Sequence, residues 1–268
     1  AAMEAMEPAP DGIGVFEMED GSGLWEVGGY FADAPDETAL AVLAAAFGAR
    51  PFAVSALPPT DWVAHVRREL QPVEAGRFVL YGGHDADRIP PDRIALLVEA
   101  AMAFGTGHHG TTRGCLLAFD ALLDQGIDPV PVADIGAGTA VLAMAAARVW
   151  PGAPVIASDI DAVAVEVAEA NLAVNDLSDR VACVEAAGFD HPRLAGPFGL
   201  IFANILKGPL IGLAPEIGAR CAAGGHAILS GILNPQADEV VAAYGAAGFA
   251  VHERIVLGDW TTLTLRRS

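Results

Sequence analysis

Lysine is nearly missing from this 268-residue chain, with Lys207 its single example. Lys and Arg together number 15 against 34 Asp and Glu, which leaves a formal net charge of −19. So little positive charge argues against a protein that works by neutralising a nucleic-acid phosphate backbone, because that affinity rests on Lys and Arg. An acidic surface instead speeds encounter with a basic protein partner, although an acidic proteome would leave the same charge without functional meaning. Cysteine is scarce too. Cys115, Cys183 and Cys221 are far apart and lack C-x-x-C spacing, which argues against a disulfide framework or zinc site and for free buried thiols. No apolar run reaches the roughly 18 to 20 residues that span a bilayer. The opening AAMEAMEPAP lacks the basic segment of a secretory leader, so a cytoplasmic protein with no membrane role is expected.

Apolar residues make up 53% of the chain and charged residues 18%, a balance that implies a compact fold rich in Ala-based helices. The length accommodates one large α/β domain and a smaller appendage. Residues 13–19 and 25–30 alternate apolar and polar side chains around Asp20-Gly21-Ser22-Gly23, which reads as a β-hairpin. Asp36-Glu37-Thr38 opens a helix to about Phe47. Pro58-Pro59 ends this small α+β unit; Thr60 and Asp61 cap a helix over 62–70, and a short strand follows at 77–81.

From about Val130 strands and helices alternate: strands at 130–135, 154–159, 180–185, 198–203 and 225–230, helices at 139–150, 162–175, 208–222 and 235–247. That alternation predicts right-handed crossovers and a parallel sheet covered on both faces. The last two strands, 249–257 and 260–266, are joined by Gly258-Asp259, a turn that makes an antiparallel hairpin. An antiparallel ending favours a Rossmann-like methyltransferase over a nicotinamide-binding domain, whose sheet keeps adding parallel strands.

Four places carry the chemistry. Asp134-Ile135-Gly136-Ala137-Gly138 stands where the first of these strands meets its helix, so glycine backbone and unpaired helix N–H groups face the same space. It is a G-x-G, since the position of a further dinucleotide-type glycine holds other residues. Asp159 ends the next strand at the spacing at which a carboxylate meets ribose hydroxyls, whereas Asp161, directly before a helix, suits an N-cap. This pair fits S-adenosylmethionine or a nicotinamide dinucleotide equally. Asn204 ends the fourth strand, where its side-chain carbonyl could receive an attacking amine while neighbouring backbone carbonyls take the other N–H. Methyl transfer needs a neutral nitrogen in line with the methyl carbon, and holding a lysine amine neutral at pH 7 costs about 4 to 5 kcal/mol unless apolar walls and acceptors reduce it. A second glycine-rich stretch, Ala103-Phe104-Gly105-Thr106-Gly107-His108-His109-Gly110-Thr111-Thr112, reads as a polar loop suited to a lid, ahead of a helix starting near Arg113. His108 and His109 have no suitably spaced carboxylate, so no metal site is expected.

Taken together, Asp61-Trp62, Gly76-Arg77-Phe78, His84-Asp85, AFGTGHHGTT at 103–112, DIGAGTAVLAMAAA at 134–147, SDIDAVAVEVAEAN at 158–171, ANIL at 203–206 and LSGIL at 229–233 resemble the ribosomal protein L-eleven methyltransferase family (PrmA) over nearly the whole chain. The resemblance implies an α/β fold: a Rossmann-like class I methyltransferase with a mostly parallel seven-stranded sheet ending in an antiparallel hairpin, plus a small N-terminal α+β domain. It implies S-adenosylmethionine as cofactor and lysine and N-terminal amines of the large-subunit ribosomal protein as substrate, with no direct nucleic-acid contact. It assigns Phe104, Thr106 and Asn204 to the catalytic group, and Phe104, Thr106, Gly107, Asp134, Gly136, Gly138, Asp159, Ile160 and Asn204 to the cofactor. The implied division is 1–57 for substrate recognition, truncated or reduced at its start, 58–112 for a linker helix, strand and cofactor lid, and 113–268 for catalysis.

The departures are specific. Ala140 stands where the family pattern has a third glycine, which would point a β-carbon into the cofactor loop. Ala101 also replaces a glycine, Gly199 replaces a frequent Asp, and Lys207 occupies a position where Ala is common. Weakened cofactor binding is the expected consequence, which keeps two other readings open: a cofactor-binding relative without activity and a nicotinamide oxidoreductase.

Overall fold

The computed structural model describes residues 12–17, 25–32, 34–55, 72–98 and 109–268, together with residues 3, 6, 9 and 10. The chain divides into two compact units, Ala1–Trp62 and Val63–Ser268. The helix expected over 62–70 and the segment 99–108 lie outside the described residues.

In the first unit, β1 (Gly12–Glu17) pairs antiparallel with β2 (Trp25–Tyr30), as the alternation predicts. Helix α1 (Glu37–Ala46) begins where Asp36 accepts hydrogen bonds from the amides of Thr38 and Ala39 at 2.8 and 3.3 Å, satisfying donors that the first helical turn leaves unpaired. Leu40 and Ala44, one turn apart, are its buried face.

The second unit opens with a three-stranded sheet that sequence reading resolved only in part. Strand β4 (Phe78–Tyr81) is flanked by β3 (Val73–Ala75), antiparallel, and β5 (Ile94–Leu97), parallel. Strands of three and four residues carry too few alternations for a period to show. Helix α2 (His109–Asp124) packs beside this sheet, with Phe119 stacked on Phe78 at 5.4 Å and edge-on to Phe202 at 5.5 Å.

The remainder is β6 (Val132–Ile135), α3 (Val141–Val149), β7 (Val155–Asp159), α4 (Ala162–Val174), β8 (Val181–Glu185), β9 (Phe198–Asn204), α5 (Lys207–Arg220), β10 (Cys221–Leu233), α6 (Ala237–Ala246), β11 (Phe249–Leu257) and β12 (Trp260–Arg267). Seven strands form one sheet in the order β11-β12-β10-β9-β6-β7-β8, and β12 runs antiparallel to both neighbours. Every expected strand of the alternating region is present, and β10 starts earlier than the expected 225. The period-2 pleat sorts side chains to two cores. Val132, Leu200, Phe202 and Ile228 join α2, α3 and α4 on one face; Ala133, Ile201, Ala203 and Leu229 join α5 and α6 on the other. Helix α3 is buried from Val141 through Ala147, and its run of Ala lets it sit close to the sheet. Among the described residues no helix is long and apolar enough to cross a membrane.

Candidate functional site

The chain runs outward from β6 to β7 and β8, then returns to β9 on the other side of β6. That reversal leaves a crevice beyond the carboxyl ends of β6 and β9, where open α/β sheets bind ligands. The glycine loop and Asn204 enter it from these two strands.

Gly136 and Gly138 have φ of +69° and +53°, a left-handed backbone that residues with a β-carbon resist. The amides of Gly136 and Ala137 donate to the Ser158 carbonyl at 2.8 and 2.9 Å, hooking the loop onto the end of β7. The Gly138 amide donates to Asp159 Oδ2 at 2.9 Å, and Asp159 Oδ1 accepts from the Asp161 amide at 3.1 Å. Asp161 in turn caps α4 by accepting from the Val163 amide at 2.9 Å. The two neighbouring carboxylates thus do different work, and Asp159 keeps lone pairs on both oxygens for a ligand. Ile160, between them, is 72% exposed and presents an apolar surface beside the carboxylate. Ala137, Gly138, Ser158, Asp159, Val165 and Cys183 line a shallow hollow here.

Asp134 is 1% exposed and accepts from the Ala143 amide in the first turn of α3 at 3.0 Å. Burial pushes its carboxyl up to about 7; the Ala143 N–H works the other way, and the charge of Asp159 adds to the rise. It fixes the loop from beneath.

Asn204 closes β9, in register with Ser230 on β10. Its side-chain nitrogen donates to the hydroxyls of Thr111 and Thr112, each at 3.4 Å, which turns its carbonyl oxygen away from them. The threonines are presented by α2, which starts at His109 and not near Arg113. Residues 109–112, read from sequence as loop, are therefore its first turn, and glycine content misled because Gly110 and Gly114 are packing residues. A β-carbon on Gly110 would lie 3.1 Å from Trp260 Cδ1, and one on Gly114 would lie 2.2 Å from Thr262 Oγ1, so the lack of a side chain at these two positions lets α2 approach β12 closely. Phe104, Thr106 and Gly107 lie outside the described residues.

Two departures lie away from the opening of the crevice. Ala140 adopts φ 59°, ψ 22°, which explains why glycine suits this position, but its methyl is fully buried in the α2–α3–α4 core and not in the loop's opening. Gly199 lies at the amino end of β9, remote from Asn204 at the other end, and a β-carbon there would sit 2.4 Å from the Pro129 backbone. An aspartate cannot fit while that segment crosses the strand.

Sequence reasoning missed two supports, Asn171 and Gly231, and a second role for Gly136. Asn171 of α4 donates to the Thr139 carbonyl at 3.1 Å, tying down the end of the glycine loop. Gly231, at φ +80°, sits where the β10–β12 register shifts, and a β-carbon on it would lie 2.3 Å from the Ile205 carbonyl oxygen. A β-carbon on Gly136 would lie 2.4 Å from Ile205 Cγ2, so two glycines hold Ile205, and with it Asn204, from two sides. The run LSGIL was visible as a match, yet nothing local reveals which residue its glycine serves.

Known proteins share this fold and much of this sequence. A structure of ribosomal protein L11 methylase from Lactobacillus delbrueckii subsp. bulgaricus superposes with a TM-score of 0.64 at 26% identity, covering 74% of this chain and 99% of that one. A ribosomal protein L11 methyltransferase of Bradyrhizobium diazoefficiens is 44% identical over 261 residues, 95% of this chain and 87% of the relative. One from Brucella suis is 43% identical over 256 residues, 95% and 89% of the respective chains. A family model described as ribosomal protein L11 methyltransferase (PrmA) matches residues 13–268. With the sheet closed by an antiparallel strand and these matches spanning nearly the full length, the nicotinamide reading falls, and the chain belongs to the ribosomal protein L11 methyltransferase (PrmA) family.

Proposed function

We propose that this protein transfers methyl groups from S-adenosylmethionine to lysine side chains and the N-terminal amine of the large-subunit ribosomal protein L11. The observation that carries the reading is the placement of Asn204: at the switch point, across from the glycine loop, with its amide nitrogen held by Thr111 and Thr112 and its carbonyl oxygen without a partner among the described residues. The residues present fit the cofactor. Among the described residues nothing lies within 4 Å of a β-carbon built on Gly138, and the α3 N-terminus stands behind the loop. Asp159 offers lone pairs to ribose hydroxyls, Ile160 offers an apolar face to the base, and Gly136, Gly138 and Asp134 shape and anchor the loop.

When bound, the cofactor supplies a methyl carbon on a sulfonium whose sulfur keeps the bonding pair as it leaves. The protein's part is positioning. Asn204 Oδ1 and the backbone carbonyls beside it receive the N–H groups of the neutral amine, which orients its lone pair and lowers the cost of holding it uncharged. Phe104, Thr106 and Gly107 are assigned to closing over the cofactor and excluding water. Residues 1–57 are assigned to gripping the substrate, 58–112 to the linker and lid, and 113–268 to catalysis. The net charge of −19 suits a basic protein partner reached by long-range attraction, and the protein is placed in the cytoplasm, where ribosomal proteins are made. Incubation of the purified chain with labelled S-adenosylmethionine and ribosomal protein L11 should place label on lysines and the N-terminal amine, read by peptide mass spectrometry. Cofactor binding without transfer would overturn the assignment.

A further inference from the structure

Lys207 is the chain's single lysine, and it follows Asn204-Ile205-Leu206 directly. Elsewhere among the described residues Asp120, Asp124, Asp85, Glu216 and Asp238 each pair with an arginine, and Asp85 also meets His84. Arginine is neither deprotonated nor nucleophilic under ordinary conditions, and it would serve an ion pair at 207 equally well. Lys207 also occupies the first turn of α5, where a cation opposes the helix dipole. What lysine alone adds there is an amine, the same group the proposed reaction consumes.

Its surroundings hold that amine in check. Lys207 Nζ pairs with Glu239 Oε2 at 2.8 Å, the lysine side chain being 34% and the glutamate 60% exposed. Glu239 lies in the first turn of α6, which places both partners at the end of the sheet where β9 delivers Asn204. Three residues of chain separate Cα 204 from Cα 207 by at most about 11 Å, and a lysine side chain bridges more than half of such a span. Leu206, between them, is 72% exposed, so it does not itself wall the amine off.

We propose that Lys207 is a self-methylation site whose access is set by Glu239. The inference rests on the methyltransferase reading above. Released from the carboxylate and having lost a proton to solvent, the Nζ lone pair forms the N–C bond as the methyl C–S bond breaks, and sulfur retains the electron pair. Each methyl group replaces an N–H, so full methylation keeps the charge but removes every donor to Glu239, untying α5 from α6 beside the site.

The test uses the full chain with methyl-labelled S-adenosylmethionine, alone and with ribosomal protein L11, followed by peptide mass spectrometry. Methyl increments are expected on the peptide ending at Arg220 that contains Lys207, several-fold more of them in Glu239→Gln and none on that peptide in Lys207→Arg. The labelled fraction per unit time should not change with enzyme concentration, since the geometry argues for transfer within one chain; a rate that rises with concentration overturns that geometry. An unlabelled Lys207 in wild type and Glu239→Gln, with ribosomal protein L11 labelled in the same tubes, sinks the inference alone. If neither is labelled, the activity reading fails and takes the inference with it.

Discussion

Replacing Gly231 by Ala isolates how the loop after Asn204 is held. The new β-carbon would lie 2.3 Å from the Ile205 carbonyl oxygen and 2.8 Å from its carbonyl carbon, whereas real contacts of this kind do not fall below 3.0 Å. Residue 231 and the backbone at Ile205 must therefore separate by at least the difference, 3.0 − 2.3 = 0.7 Å, and Asn204 is bonded directly to Ile205. A displacement approaching 1 Å in a residue that positions a reacting atom costs on the order of 10²-fold in rate. Gly231 also has φ +80°, so the variant carries roughly 1–2 kcal/mol of backbone strain. Gly126→Ala separates the two effects, because Gly126 has φ +70° but, among the described residues, nothing within 4 Å of a built β-carbon. Both variants should lose stability in urea titration, whereas only Gly231→Ala should lose turnover, measured as initial rates at saturating cofactor. Cofactor affinity by titration calorimetry should change little in either. Wild-type turnover in Gly231→Ala, or an equal loss in Gly126→Ala, would refute the argument that Ile205 is held by contact.

Asn204→Ala should lower kcat by about 10²- to 10³-fold with cofactor Kd nearly unchanged, since its proposed contact is to the amine; equal losses in both would misplace its role. Ala140→Gly should leave rate and cofactor affinity within about twofold, because relief of left-handed strain is offset by loss of a buried methyl and added chain entropy; a tenfold gain in either would show that the methyl obstructs the loop. His226 is 3% exposed with both ring nitrogens unpartnered among the described residues, and burial, with help from His252 and Arg266, holds its pKa down to about 4 from 6.5. The folded state thus binds the proton less well than the unfolded one, so stability is complete above pH 6.5 and falls as pH drops towards 4. Urea titrations should show wild type losing roughly 2–3 kcal/mol more than His226→Phe between pH 7 and 4.5, and identical slopes for the two proteins would rule the histidine out.

What the sequence determined by itself is whatever one element or one turn decides. The alternation of strands and helices, the antiparallel ending at Gly258-Asp259, the cap at Asp161 and the hairpin at the start each follow from chemistry within a few residues. The glycine loop and Asp159 were legible for the same reason, since their spacing is set by one strand–helix–strand unit. The tertiary structure alone decided who holds Asn204, because Thr111 and Thr112 lie 93 and 92 residues away in sequence and are brought to it by a helix that glycines let approach β12. It also decided that Ala140 faces the core and that Gly231 braces Ile205. A side chain's type fixes what it can bond, but only the packing of distant elements fixes what stands within reach.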